Sequence, residues 1–221
     1  MKTFIRTLKQ KTPIHKNYYF AKLRNDELTL EEFQKSQLNF FDAVLSFTKP
    51  MFIISSKLES YEERLSILEN ILEEHGNGDI AKSHGKTFEE YLILLGVNKK
   101  EIKNRNIDSS SQKFNLCLVE RSQNESTYFS LAMMGIIEDR YSEMSKLISE
   151  KVLKNKWLTE KTMTHYKVHE KLDIDHAESF YHLIGSKWLN KNIQEDIKKG
   201  LRFGNKLILN LYTGFILTDY N

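Results

Sequence analysis

The sequence is poor in helix breakers, with two prolines and nine glycines in 221 residues. Long segments are therefore free to stay helical. Their apolar residues recur at helical rather than alternating spacing, which excludes a sheet protein and predicts an all-α fold. The single cysteine, Cys117 in FNLCLV, excludes an internal disulfide framework, fits a reducing cytoplasm and reads as a small buried hydrophobe. No apolar run approaches the roughly 20 residues that a membrane span needs. The start, MKTFIRTLKQKTPIHKNYYF, lacks the apolar core and small-residue cleavage site of a signal peptide. An excess of one charge is missing too, since 33 Lys and Arg are interspersed with 30 Asp and Glu to leave +3. That balance is no footprint for nucleic acid, and clusters such as Lys198, Lys199 and Arg202 fit an ordinary helix face. Glycine-rich phosphate loops, CxxC pairs and nucleophile elbows are absent as well. The expectation is a soluble cytoplasmic protein without nucleic-acid or membrane partners, whose chemistry lies in its carboxylates and histidines.

What is present suffices for one sizeable core, with 40% hydrophobic and 29% charged residues, so residues 1–221 read as a single helical domain. Thr29 and Glu32 have capping-box spacing and open a helix to about Thr48, with Pro50 kinking or ending it. Further helices are expected over Tyr61–His75, stopped by HGNGD, and Ser83–Leu95, stopped at Gly96. A polar connection follows over Asn104–Ser111. The longest helical region spans Gln112–Lys156 with a break near Asn124, and Thr159–Trp188 and Ile193–Leu217 complete the set.

One stretch breaks the apolar pattern. In HEKLDIDHAESFYH, residues 169–182, His169, Asp173 and His176 fall within an arc of about 60° on a helix. That arc also carries Leu172, Phe180 and Leu183, while Lys167, Lys171, Asp175 and Glu178 form the solvated face. Three ionisable groups on a buried face need a counter-charge, and a metal ion would supply one. Facing helices then owe further ligands. Glu138 shares its face with Leu131, Met134 and Tyr141, and Gly135 one turn earlier would leave room beside its carboxylate. Glu74 projects beside Ile67 and Ile71, whereas Glu73 is swung about 100° away. His84, at the start of the next helix, could fold back over the turn. Mixed nitrogen and oxygen ligation suits iron or manganese. Three carboxylates largely offset two divalent ions, which favours a dinuclear centre.

The pattern Glu74-His75-Gly76, then His84 before a helix ending LLG, then Glu138, then His169-x3-Asp173-x2-His176, resembles the haem-oxygenase-like di-iron oxidases and oxygenases. These are often called iron-containing redox enzymes, and are structural relatives of pyrroloquinoline-quinone synthase C and TenA proteins. The resemblance covers about residues 61–185. It implies a seven-helix up-and-down bundle around a central cavity, and two Fe(II) ions on Glu74, His84, Glu138, His169, Asp173 and His176, with Glu138 as the bridging or shifting carboxylate. It further implies O2 as co-substrate, and N-oxygenation or carbon–carbon cleavage of a small amine, amino acid or carboxylic acid in specialised metabolism. Asp42 lies a turn or more from where some members add a carboxylate, so it is not expected to ligate. His165, one turn before His169, is the candidate hydrogen-bond partner or proton carrier. A homodimer is expected. The rival readings are a metal-free enzyme like the TenA or quinone-synthase relatives, and a helical protein-interaction module.

Overall fold

The computed structural model describes residues 1–217, including all their side chains except those of residues 164 and 171. The expected solvent-facing Lys171 and the last four residues of the expected domain lie outside that description. Among the described residues there is no strand. Eleven α-helices follow one another: α1 Lys2–Lys11, α2 Tyr18–Arg24, α3 Leu30–Ser46, α4 Thr48–Lys57, α5 Tyr61–Glu74, α6 His84–Leu94, α7 Lys99–Asn104, α8 Ser109–Asn124, α9 Thr127–Lys154, α10 Thr164–Gly185 and α11 Lys191–Leu217. The seven-helix expectation is thus too low, because short capped helices replace connections.

Local chemistry explains the boundaries. The Thr29 backbone N–H donates to Glu32 and the Glu32 N–H donates to Thr29 Oγ1, so the expected capping box opens α3. The helix opened at Thr29 breaks at Phe47, where Pro50, in the first turn of α4, has no N–H to offer the Ser46 carbonyl four residues earlier, as expected of a proline that kinks or ends a helix. Asp108 caps α8 and Ser126 caps α9, with extended Glu125 making the expected break between them. A second capping box, Asn98 with Glu101, nucleates α7. The helix expected from Thr159 begins at Thr164 instead, since Thr159 and Thr162 bond to each other in a closed turn.

The bundle is organised around α9, which is buried on every side from Phe129 to Glu138. Helix α10 runs antiparallel to it, because Gly135 meets Phe180 and Ser142 donates to the Glu170 carbonyl. Helix α11 runs parallel to it at backbone contact. A Cβ at Gly200 would lie 2.2 Å from the Phe129 carbonyl oxygen, and one at Gly204 2.4 Å from that of Met133. Helices α3, α6 and α8 close the other side. Between them Phe40 stacks on Tyr141 and Tyr212, at centroid distances of 5.4 and 5.3 Å. Buried Gln37 joins Tyr166 to Tyr19 by hydrogen bonds of 2.5 and 3.2 Å. Cys117 is only partly buried. No helix among the described residues is long and apolar enough to cross a membrane.

Candidate metal centre

The last turn of α5 ends in Glu73 and Glu74, and a tight reversal returns the chain to α6. Gly76 makes that reversal possible, with φ of 72° and a position where a Cβ would stand 2.6 Å from the Ser83 nitrogen. The reversal delivers His84, the first residue of α6, to Glu74, whose Oε2 accepts from His84 Nδ1 at 2.7 Å. The sequence expectation that His84 folds back over the turn is met.

Helix α10 contributes the opposite wall. His169 and Asp173, one turn apart, bond through Nδ1 and Oδ1 at 2.7 Å, and His176 follows one turn further along. Helix α9 adds Glu138. The nearest approach is among Glu74, Glu138 and His176, which offer one ligand atom each within 4.8 Å of one another. His176 Nδ1 lies 3.7 Å from Glu138 Oε1 and 3.9 Å from Glu74 Oε1. Beside this group, the His84 and His169 rings are 4.4 Å apart between centroids. All six residues expected to ligate are buried and belong to one cluster.

The cluster is electrostatically incomplete. Glu138 Oε1, Asp173 Oδ2 and His176 Nδ1 are buried without a hydrogen-bond partner among the described residues. Burial, reinforced by Asp173 and then Glu74, pushes the Glu138 carboxyl well above the usual range. Burial is also the largest influence on Glu74 and would raise it, but His84, His169 and His176 together hold it below its ordinary value. For His169, burial opposes the charged form, and Asp173 with Glu74 outweighs it to raise the group. Orphaned lone pairs of two carboxylates and one imidazole, converging from two helices beside a third, are what a divalent cation satisfies. The residues therefore fit iron on observations of their own: the donor set is nitrogen and oxygen, and the unpartnered atoms face one another.

Above the cluster is a cavity of about 40 Å³, room for a few water-sized groups. Its other walls are apolar: Phe40, Ala43 and Val44 of α3, Phe47 just after it, Phe114, Ile137 and Ile208, with Tyr141. His165 also lines it. Thr87 Oγ1 donates to the His84 carbonyl at 3.2 Å and stands 3.1 Å from His165 Nδ1. A hydroxyl has one proton, so here it accepts from His165 Nδ1–H. His165 Nε2 is then a bare acceptor, and it is buried without a partner among the described residues. Burial, then the neighbouring His169 and His84, hold this imidazole well below its ordinary pKa and hence neutral.

Three readings need correction or addition. Gly135 does not make room for Glu138; a Cβ there would stand 2.9 Å from that of Phe180, so this glycine seats α10 against α9. Phe40 and Phe47, ordinary apolar positions in the sequence, line the cavity. Glu73, set aside because it points away from Glu74, reaches His176 Nε2 at 2.7 Å. One signal for it was available: α5 ends in two acids with no basic residue in its last turn, against the sense of the helix dipole. Asp42 is held by Arg105 through Nε at 3.1 Å and Nη2 at 2.5 Å, consistent with its not being expected to ligate.

Solved structures share this architecture. A cadd-like protein of unknown function from Nostoc punctiforme superposes with a TM-score of 0.79 at 15% identity, covering 100% of this chain and 98% of its own. A domain of unknown function with a heme oxygenase-like fold from Shewanella denitrificans gives 0.78 at 10% identity, over 99% and 89%. A TenA homolog from Pseudomonas syringae gives 0.74 at 14%, over 97% and 90%. Such likenesses establish an all-α haem-oxygenase-like fold. No curated protein matches the sequence. The family model described as iron-containing redox enzyme matches residues 38–207, and with that span covering most of the bundle and every residue of the cluster, the chain belongs to the iron-containing redox enzyme family.

Proposed function

We propose that this protein is a non-haem di-iron oxygenase or oxidase that uses O2 to N-oxygenate or cleave a small amine, amino acid or carboxylic acid. The observation that carries the reading is the convergence of Glu74, Glu138 and His176 with buried, unpartnered donor atoms. Glu74, Glu138 and His176, together with His84, His169 and Asp173, would hold the iron. Bound ferrous iron would supply electrons and open coordination positions for O2.

The chain's own groups do the rest. The aromatic and aliphatic wall from α3, α8, α9 and α11 keeps bulk water from the ions and receives the apolar body of the substrate. His165 Nε2, neutral and unprotonated, accepts a proton from the substrate's polar head, while Thr87 holds the ring's other nitrogen. Among the described residues no lysine or arginine lines the cavity. A second anionic group on the substrate would have no side-chain cation to pair with there. Within the three classes this favours molecules with one polar head on an apolar body. A metal-free enzyme on the same bundle would have to leave Glu138 Oε1 and His176 Nδ1 buried and unpaired.

Anaerobic loading with ferrous ion followed by metal analysis tests the reading. About two irons per chain are expected, falling in the Glu138→Ala and His176→Ala variants. An iron-incubated wild-type sample with no bound transition metal would overturn it. Stopped-flow mixing of the loaded enzyme with O2 across a panel of the three classes then tests the substrate, since a true substrate alters the lifetime of the visible absorption.

A further inference from the structure

The two nitrogens of His176 have different surroundings. Nε2 lies 2.7 Å from Glu73 Oε2, toward the outside, where the Glu73 side chain is 40% exposed. Nδ1 lies inside, near Glu138 and Glu74 and without a partner among the described residues. Glu73 and Glu74 are consecutive, so their side chains diverge by about 100° around α5. The last turn of that helix thus straddles the imidazole, one carboxylate outside and one inside.

An ionised carboxylate only accepts hydrogen bonds, so a neutral ring bonded to Glu73 carries its proton on Nε2 and its lone pair on Nδ1. The inner carboxylates compete for that proton. With the proton on Nδ1, the ring would donate to Glu138 or Glu74, close the gap between them and present no lone pair to a cation. We propose that Glu73 is the positioning residue that settles this competition, fixing His176 in the Nε2–H form so that it ligates through Nδ1. The ligation half rests on the di-iron reading; the tautomer half does not. Partners of this kind commonly change metal affinity by about 10–100-fold when removed.

The tautomer is measurable without metal. Protein labelled with ¹⁵N-histidine and stripped by chelator is examined at pH 8 by long-range ¹H–¹⁵N correlation, with His176→Ala assigning the signal. Wild type should show a proton on Nε2 and none on Nδ1. Glu73→Ala, at a half-buried helical position where alanine is well tolerated, should move the proton to Nδ1 or mix the two forms. Glu73→Gln keeps an oxygen acceptor and should preserve the wild-type form. Zinc, a diamagnetic probe, should then shift Nδ1 and leave the Nε2 proton in place. Chelator competition should show about 10–100-fold weaker ferrous binding in Glu73→Ala and a smaller loss in Glu73→Gln. A doubly protonated or Nδ1–H ring in wild type, or a tautomer unchanged in Glu73→Ala, overturns the proposal. A loss of melting temperature without a tautomer change would make Glu73 merely structural. If the tautomer responds as expected and neither protein binds zinc or iron, the positioning role stands and the di-iron reading falls.

Discussion

Replacing Glu138 by glutamine should stabilise the metal-free protein while disabling it for metal. The carboxyl is 1% exposed, one of its oxygens has no partner among the described residues, and burial, Asp173 and Glu74 together disfavour its charged form. Glutamine keeps the shape and removes the charge. Its amide can also donate to the orphaned Asp173 Oδ2 or His176 Nδ1. Relieving a buried, unsatisfied acid of this kind is worth roughly 1–3 kcal/mol. In a chain of this size about 2 kcal/mol corresponds to some 4–8 °C in Tm. The pH dependence identifies the cause. The unfolded carboxyl titrates near 4.5, the ordinary value, and the folded one well above it. Between those limits the native state binds more protons than the unfolded one, so wild-type stability falls as pH rises through the window. The advantage of Glu138→Gln should therefore be absent near pH 4, grow with pH, and level off once the native carboxyl is ionised. Calorimetry in chelator across that range measures it. With ferrous ion added anaerobically the order should reverse, since only wild type gains the stabilisation of a bound ligand. A chelated Glu138→Gln protein that melts below wild type at pH 8, or a difference independent of pH, would refute the reasoning.

Other outcomes follow from the same geometry. In hydrogen exchange, residues 162–183 should exchange much faster in the metal-free protein than in the iron-loaded one, and Tyr61–Glu73 should change less; equal slow exchange would mean packing alone holds α10. His165→Ala should keep its iron and lose about 10²–10⁴-fold in turnover, as expected for a general base. Because His165 titrates well below its ordinary value of 6.5, the acid limb of the wild-type pH–rate profile should lie below that value; a limb at or above 6.5 would exclude His165 as the base. Gly204→Ala should cost about 1–3 kcal/mol by forcing α11 off α9, read as a lower melting temperature; an unchanged one would show that the two backbones can part freely.

The buried polar cluster was legible because it violates a rule. His169, Asp173 and His176 interrupt an apolar face, and such an interruption is visible in a linear sequence at helical period. Glu138 was found for the same reason, although its stripe understates the case, since α9 is buried all round and a one-sided pattern cannot show that. Short helices were the main loss in the fold. Helix α1 has a narrow apolar stripe among lysines, and α7 is a capped turn of six residues, too short for periodicity to speak. Glu73 and Thr87 were missed because each acts on a histidine from a different helix, through a hydrogen bond that spacing along one chain segment does not encode. Gly135 was misjudged because its neighbour, Phe180, is 45 positions away, and which helix packs on that face is settled only by the assembled bundle.

The full burial of α9 has a consequence for how the chain is made. Its faces are covered chiefly by α10 and α11, both synthesised after it. A ribosome-bound chain that has completed residue 154 therefore displays a 28-residue helix whose faces toward α10 and α11 have nothing yet to cover them, a state prone to chaperone capture and self-association. The same order governs metal acquisition. Glu74, His84 and Glu138 emerge early but lack His169, Asp173 and His176, which lie on a helix that has no stable place until α9 receives it. On the di-iron proposal, iron is gathered only after α10 has docked on α9, so truncation before α10 should abolish metal uptake.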